Sequence, residues 1–313
     1  MGEGEAAAAG PGEAQGAPSV RASTKGLWYM AVGAFWFSVM SLLVKVAGER
    51  FPSQQIVLAR AVITLVLSWA MMRRAGVPVW GRSPGRLALR GLYGCIALSC
   101  FYFSLVHLPI AEATVIHYMN PVFTAVLAGV LLGESMGRRE IACVFVSLAG
   151  VVLVTHPAVL FGGEARLNPW YVALALTGAV FSAVAYTTIR TLRGEHPLVV
   201  VFYLPLVTVP FTVPLVLMGS PAVWPTPLDW LVLLGVGVAT QIGQVYLTRG
   251  LQLERAGRAT AVGYTQIVWA AAWGAVFFGE YPDGWSVLGA LLIVGSTLAL
   301  VLGSRKGVAV PEE

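Results

Sequence analysis

Apolar stretches of about 17–22 residues recur along almost the whole chain, separated by short polar connections. A helix needs about 20 apolar residues to cross the roughly 30 Å of hydrocarbon in a lipid bilayer. The sequence therefore predicts ten transmembrane helices, at 27–47, 53–72, 87–106, 112–132, 139–155, 169–189, 197–218, 229–249, 257–278 and 285–303.

The composition excludes a water-soluble protein. Hydrophobic residues make up 57% of the 313 residues and charged residues 11%, and the mean hydropathy is +0.77. A soluble domain carries about 25% charged residues, because its surface faces water. We therefore predict an all-α membrane protein with the lipid bilayer as its partner. The net charge of +5 is not interpreted as nucleic-acid binding, because basic residues in membrane proteins report orientation.

The predicted helices form two groups of five. We expect a first five-helix repeat at 27–155 and a second at 169–303. Residues 1–26 are rich in Gly, Ala, Glu and Pro, a composition typical of a disordered tail. Residues 304–313 form a second short tail.

The lysine and arginine residues predict the orientation of the chain. An even number of helices places both termini on one side, and 16 of the 20 basic residues fall on that side. They are Arg21, Lys25, Arg73, Arg74, Arg82, Arg86, Arg90, Arg138, Arg139, Arg190, Arg193, Arg249, Arg255, Arg258, Arg305 and Lys306. Arg50 and Arg166 fall on the other side. The positive-inside rule therefore predicts that both termini are cytoplasmic in a cell-membrane protein.

An internal repeat relates the two groups. A shift of 146 positions places 111–134 on 257–280 without a gap. The matched pairs are Ala113 with Ala259, Thr114 with Thr260, Tyr118 with Tyr264, Gly133 with Gly279 and Glu134 with Glu280. Because five is odd, the second group must be inverted relative to the first. Inverted repeats are typical of secondary transporters, whose substrate site lies near the bilayer midplane.

Small residues recur every four positions in three predicted helices. The rows are Ala125, Gly129 and Gly133, then Gly235, Ala239 and Gly243, and finally Ala271, Ala275 and Gly279. This spacing puts them on one stripe, where two helix backbones can approach closely. We interpret the rows as helix-packing surfaces.

Several motifs resemble a known family. They are the Ala-x-Ala-Thr element at 111–114 followed by Gly133-Glu134, and the stretches Ser41-Leu-Leu-Val-Lys45, Glu112-Ala-Thr-Val-Ile and Leu251-Gln-x-Glu-x-Ala-Gly257. With the ten helices and the repeat, they resemble the EamA-type members of the drug/metabolite transporter superfamily, and also subgroup G of solute-carrier family 35. The resemblance implies two inverted five-helix repeats and a cavity lined mainly by helices 1, 3, 4, 6, 8 and 9. It leaves the substrate open among amino acids, nucleotide sugars, organic anions and drugs.

Arg60 is the charged residue placed deepest in a predicted helix, about 10 Å from its outer end at 1.5 Å per residue. A charge at membrane depth is costly and therefore marks a functional candidate. Lys45, Glu112 and His117 fall near the same end. Arg60 either clamps a substrate carboxylate or is a structural residue satisfied by Glu112 or by backbone carbonyls. His117 is either a proton shuttle or a packing residue.

A second set of polar residues is expected near the midplane. It comprises Tyr102, Tyr118, Asn120, Ser182, Gln241, Gln244, Tyr264, Gln266 and Trp269. Aromatic and amide side chains from facing helices suit a small polar metabolite. For any single member, an interhelical hydrogen bond is the alternative role. Asn120-Pro121 also predicts a break in the fourth helix.

The sequence contains no motif for catalysis or for a cofactor. It has no His-Glu-x-x-His zinc pattern, no Gly-x-Ser-x-Gly elbow and no phosphate-binding loop. Cys95, Cys100 and Cys143 lie in apolar stretches and predict neither a metal site nor a disulfide. We expect no metal, no cofactor and no ATP-driven step.

We predict a secondary transporter that moves a small polar metabolite, such as an amino acid or organic anion, by alternating access. An intramembrane lipid-modifying enzyme is the alternative, and it would depend on Glu112 and His117. Nucleotide-type or drug-like substrates are further alternatives, as is a membrane scaffold without transport. A homodimer, the direction of transport and the coupling ion are left open.

The predicted orientation is testable with single cysteines at Trp80 and Ala165, in a variant whose three native cysteines are replaced. Ala165→Cys should react with a membrane-impermeant thiol reagent in intact cells, and Trp80→Cys should react only after permeabilisation. The reverse pattern would refute the orientation and the depth assigned to Arg60.

Overall fold

The computed structural model describes residues 20–120, 122–123, 127, 138–155, 167–192, 194–219, 223–253 and 262–303. These residues form α1 (Val20–Gly48), α2 (Ser53–Arg74), α3 (Pro84–His107), α4 (Ile110–His117) and α5 (Arg138–Thr155). They continue with α6 (Pro169–Thr191), α7 (Pro197–Met218), α8 (Pro227–Leu253), α9 (Thr265–Phe278) and α10 (Gly284–Gly303). Residues 1–19 and 304–313, and most of 121–137, lie outside the described residues.

The helices carry a lipid-facing surface. Six of them, α1, α2, α3, α6, α7 and α8, are long and apolar enough to cross a membrane. Large apolar side chains are exposed on the bundle, including Val66, Phe145, Leu217 and Leu291. Soluble monomers avoid such extensive apolar exposure. The predicted class, an all-helical multi-pass membrane protein, is confirmed, and the count of ten transmembrane helices stays a prediction.

Local sequence determines where helices start and end. The backbone N–H of Thr226 donates to the Asp229 carboxylate at 2.7 Å, and the Asp229 N–H donates to the Thr226 hydroxyl at 3.4 Å. This reciprocal pair is a capping box that starts α8. At the end of α9, Gly279 adopts a left-handed conformation with φ of 64°. Glycine adopts this conformation without steric cost and commonly terminates helices.

The fourth helix is interrupted where Asn120-Pro121 predicts it. α4 ends at His117 and is followed by a turn at Tyr118 and Met119. Pro121 has no N–H to donate to the carbonyl four residues earlier, which is that of His117. The Asn120 side chain donates to this carbonyl instead, at 3.1 Å. An amide side chain therefore satisfies the backbone acceptor that the proline leaves unpaired.

Packing between the two groups of helices is reciprocal. Six of the pairings form three reciprocal couples. In the first couple α1 packs against α8 and α3 packs against α6, and in the second α3 packs against α7 and α2 packs against α8. In the third couple α1 packs against α9 and α4 packs against α6. α2 also packs against α7, α4 against α9 and α5 against α10. If the helices of each group are numbered from one to five, each pairing of different numbers occurs twice. For example, helix 1 of the first group packs against helix 3 of the second, and helix 3 of the first packs against helix 1 of the second. Such an arrangement is typical of an isologous interface about a two-fold axis.

Small residues bring neighbouring helices together. A side chain at Gly243 would meet the ring of Phe37 at 3.1 Å, so the row on α8 faces α1, as the packing interpretation expects. Between α5 and α10, a Cβ at Gly289 would lie 2.5 Å from the carbonyl oxygen of Gly150. The hydroxyls of Ser147 and Ser296 lie 2.6 Å apart at the same interface. Close backbone approach and polar pairing thus join the last helices of the two groups.

Two alanine substitutions on α10 test this interface. Gly289→Ala should lower stability by about 1–3 kcal/mol, because its methyl group would force two backbones apart. Gly295→Ala is the matched control, since nothing lies within 4 Å of its added Cβ. It should be neutral or slightly stabilising, because alanine is the better helix former. Thermal unfolding of the purified variants measures both, and equal midpoints would contradict the close contact.

Candidate functional site

A cavity lies inside the bundle. It contains about 1030 Å³ of empty space, including its opening to solvent, and residues from α1–α4 and α6–α9 contribute to its wall. Its polar lining residues are Arg60, Arg90, Tyr102, His117, Tyr118, Asn120, Ser182, Tyr186, Gln244 and Gln266. The rest of the wall is apolar, with Phe37, Leu98 and Phe101 among its members. A few polar groups in an apolar wall are typical of small-molecule sites.

Two tyrosines that the repeat relates to each other meet next to this cavity. The rings of Tyr118 and Tyr264 have centroids 5.2 Å apart. Tyr118 follows the end of α4 and Tyr264 precedes the start of α9, so both lie at helix termini. The Tyr118 hydroxyl donates to the Gln266 side-chain oxygen at 2.9 Å. The two groups of helices are thus joined by polar and aromatic contacts between discontinuous helix segments.

His117 packs into the cavity wall. Its ring stacks on Phe101 with centroids 4.2 Å apart, and its Nε2 lies 3.4 Å from the Ser182 hydroxyl. Its Nδ1 is buried without a hydrogen-bond partner in the part of the chain that the structure describes. The ring is therefore oriented chiefly by packing.

Arg60 places a buried guanidinium in the same cavity. Its side chain is 3% exposed, and its Cζ lies 5.7 Å from the centre of the Tyr102 ring, which is cation–π range. Its Nε has no hydrogen-bond partner among the described residues. The ion pairs between described residues are Lys45–Glu280 and Arg50–Asp229, and neither includes Arg60.

Glu112 lies elsewhere, contrary to the expectation that it shares a vestibule with Arg60. Its carboxylate accepts a hydrogen bond from the Ser286 hydroxyl at 3.4 Å. It lines a second cavity formed by α4, α5, α9 and α10. The helical phase of α4 explains why Glu112 and His117 face different cavities. The two residues are five positions apart, so their side chains point in different directions.

Arg90 is the functional candidate that sequence analysis missed. We assigned it to the cytoplasmic side, but α3 begins at Pro84, so Arg90 lies about 9 Å inside the helix at 1.5 Å per residue. The side chain is 2% exposed and lines the cavity. Its Nη2 donates to the Gln244 side-chain oxygen at 3.3 Å. Pro84 could have indicated this helix start, and with it the depth of Arg90, because proline favours the first position of a helix.

Three of the predicted midplane residues do not line this cavity. Gln241 exchanges hydrogen bonds with Ser68 at 2.9 and 3.1 Å and thereby joins α8 to α2. Trp269 is 41% exposed, because the buried face of α9 carries Gln266, Ala270 and Gly274. Tyr264 lines the second cavity.

Polar contacts link the two groups of helices at the end of the bundle where α1 ends and α2 begins, here called the α1–α2 end. Lys45 forms an ion pair with Glu280 and donates to the Leu108 carbonyl at 2.9 Å. The second Glu280 oxygen accepts from the Ile110 N–H at 3.1 Å. The left-handed turn at Gly279 places Glu280 for these contacts. Both of these carboxylate contacts link the second group of helices to the first.

Two further contacts bridge the groups at the same end. Arg50 pairs with Asp229 at 2.9 Å. The Gln55 side chain forms two hydrogen bonds with the backbone of Val223, one of them accepted from the Val223 N–H at 3.0 Å. At the opposite end, the Glu195 carboxylate accepts from the backbone N–H groups of Arg82 and Ser83 at 3.1 and 2.8 Å. Polar contacts thus join the groups at both ends of the cavity.

The architecture is therefore a helical membrane bundle around a central cavity whose apolar wall carries a few polar groups. The chain matches the EamA-like transporter family over residues 24–156 and 169–302. It therefore belongs to the EamA-type transporters of the drug/metabolite transporter superfamily and is a membrane transporter.

Similar proteins are named as transporters. The pseudopaline exporter CntI of Pseudomonas aeruginosa is 33% identical over 277 residues, 88% of this chain and 95% of that protein. The probable transport protein YPL264C of Saccharomyces cerevisiae is 30% identical, covering 88% of each chain. Human solute carrier family 35 member G1 is 29% identical, over 88% of this chain and 79% of that protein. A solved crystal structure with 20% identity superposes with a TM-score of 0.65 over 90% of this chain, which supports the fold.

A double-mutant cycle on Lys45 and Glu280 tests the contact at the α1–α2 end. Lys45→Met and Glu280→Gln should each destabilise the protein by about 1–3 kcal/mol, because each leaves a largely buried charge unpaired. The double variant should lose less than the sum, with a coupling energy of at least about 1 kcal/mol. Arg50→Met is the control, and because Arg50 is half-exposed its loss should stay within about 1 kcal/mol. Additive effects in thermal unfolding would contradict the ion pair.

Proposed function

We propose that this chain is a secondary transporter for a small anionic metabolite, that the central cavity is its substrate site, and that Arg60 receives the anionic group. The observation that carries the proposal is the buried Arg60 guanidinium in the cavity wall. No described carboxylate lies at ion-pair distance from it.

An uncompensated cation in a low-dielectric site is costly, and a bound anion would remove much of that cost. The planar guanidinium can hold a carboxylate through two parallel hydrogen bonds. The Tyr102 ring, which lines the same cavity, lies within cation–π range of the Arg60 guanidinium. The neighbouring hydroxyl, amide and aromatic groups would contact the polar and apolar parts of the same substrate.

The reciprocal packing of the helices supports transport by alternating access. We infer ten transmembrane helices in two inverted repeats, at 27–155 and 169–303. A two-fold related architecture can open at either end by rocking one group against the other. The contacts of Lys45 with Glu280 and of Glu195 with the start of α3 are the candidate gates.

We further propose that the protein exports its substrate from the cell, with both termini cytoplasmic. The distribution of basic residues supports the orientation, and the similarity to a protein named as an exporter supports the direction. The enzyme alternative receives no support from the geometry. It required Glu112 and His117 to act together, and they line different cavities.

The role of Arg60 is testable by ligand-induced stabilisation, since a ligand that binds the folded state raises its stability. We would screen the purified chain in nanodiscs against a panel of metabolite anions, zwitterions and cations, and then measure transport of the stabilising compounds in proteoliposomes. Stabilising compounds should be anions. Arg60→Lys should weaken their apparent affinity about tenfold or more, because lysine lacks the planar fork.

Glu112→Gln serves as the comparison variant and should retain anion affinity, because Glu112 contacts Ser286 and lines the other cavity. If instead Arg60→Ala unfolds the protein and Arg60→Ala with Glu112→Gln restores full transport, Arg60 only balances Glu112. That result would end the proposal.

A further inference from the structure

We propose that the substrate carries two separated anionic groups, one received by Arg60 and the other by Arg90. This inference rests on the proposed function, because it assigns Arg60 the same role. It adds a second recognition point and thereby narrows the substrate class from anions to dianions, such as dicarboxylates with an apolar segment between the two charges.

Arg90 satisfies the same criteria as Arg60. It lines the same cavity, its side chain is 2% exposed, and neither of the ion pairs between described residues includes it. Its Nε and Nη1 have no hydrogen-bond partner among the described residues. These two nitrogens carry three N–H donors. Gln244 accepts from Nη2 alone, so it orients the guanidinium and leaves one side of it unpaired.

Two positive charges in one apolar cavity repel each other. Arg60 and Arg90 are both buried in its wall, where little water is available to screen one charge from the other. The arrangement is unfavourable in an empty cavity and becomes favourable when two negative charges enter. One bound anion would leave the second guanidinium uncompensated.

The backbones of the two arginines lie toward opposite ends of the helix bundle. Arg60 is seven residues from the start of α2 at the α1–α2 end, and Arg90 is six residues from the start of α3 at the other end. At 1.5 Å per residue, their backbones are on the order of 12–14 Å apart along the bundle axis. Leu98 and Phe101 of α3 line the cavity alongside them. A ligand that binds both guanidinium groups therefore carries two negative charges and also contacts these apolar side chains.

The test compares α,ω-dicarboxylates from succinate to suberate with monocarboxylates of equal carbon number. Binding to the full chain in nanodiscs is measured by thermal shift at constant ionic strength. In the native protein, the best diacid should bind at least tenfold more tightly than its matched monoacid, and affinity should peak at one chain length. Arg90→Met should reduce diacid affinity to the monoacid level and leave monoacid affinity within twofold.

Three further variants separate recognition from structure. Arg60→Met should weaken both classes of acid, and Arg90→Lys should keep part of the diacid preference. Arg74→Met, at an exposed position outside the cavity, should change neither affinity. The ligand-free melting temperature of Arg90→Met should equal or exceed that of the native protein, because the substitution removes an uncompensated buried charge.

The outcomes distinguish the two proposals. Equal affinities for diacids and monoacids that depend on Arg60 would overturn the two-anion inference and leave the proposed function standing. Failure of both acid classes to bind would overturn both. A folded Arg90→Met variant with a lower ligand-free melting temperature and an unchanged diacid preference would show that Arg90 is structural, which also overturns the inference.

Discussion

The cost of placing a polar group in hydrocarbon governs this structure. A bilayer offers no water to satisfy an unpaired donor or a charge, so a polar side chain within the bundle must find a partner or face a hydrated space. Ser147 pairs with Ser296 and Gln241 with Ser68, and both pairs join helices of different groups. Asn120 binds a backbone carbonyl at a helix break. The interhelical hydrogen bonds that satisfy these polar groups therefore also hold the helices of the bundle together.

Charged residues follow the same rule but divide into two sets. Lys45 with Glu280 and Arg50 with Asp229 are paired at the α1–α2 end, where they hold the two groups of helices together. Arg60 and Arg90 line the cavity, and no described carboxylate lies at ion-pair distance from either. Ion pairs between the two groups stabilise their association at this end, whereas an unpaired charge creates an affinity for a ligand of opposite sign. This division underlies the proposal that the protein transports an anion.

Much of the architecture was predictable because membrane helices follow from local composition. The all-helical membrane class is confirmed, and most described helices begin and end within four residues of the predicted ones. The exceptions are α1, which begins seven residues earlier, α4, which ends 15 residues earlier, and α9, which begins eight residues later. The match of Tyr118 with Tyr264 in the repeat anticipated two residues that meet in space. Helix starts were less accurate, and a difference of three residues at Pro84 concealed the depth of Arg90.

The sequence by itself determined the membrane class, the family motifs and the list of polar residues at membrane depth, because hydropathy and charge are properties of short segments. Only the tertiary structure decided which of those residues share a cavity. Gln241 and Gln244 are three positions apart on α8, yet one binds Ser68 and the other Arg90. Glu112 and His117 are five apart and line different cavities. The physical reason is that each position rotates by about 100° around a helix, so a neighbour in sequence can face a different helix.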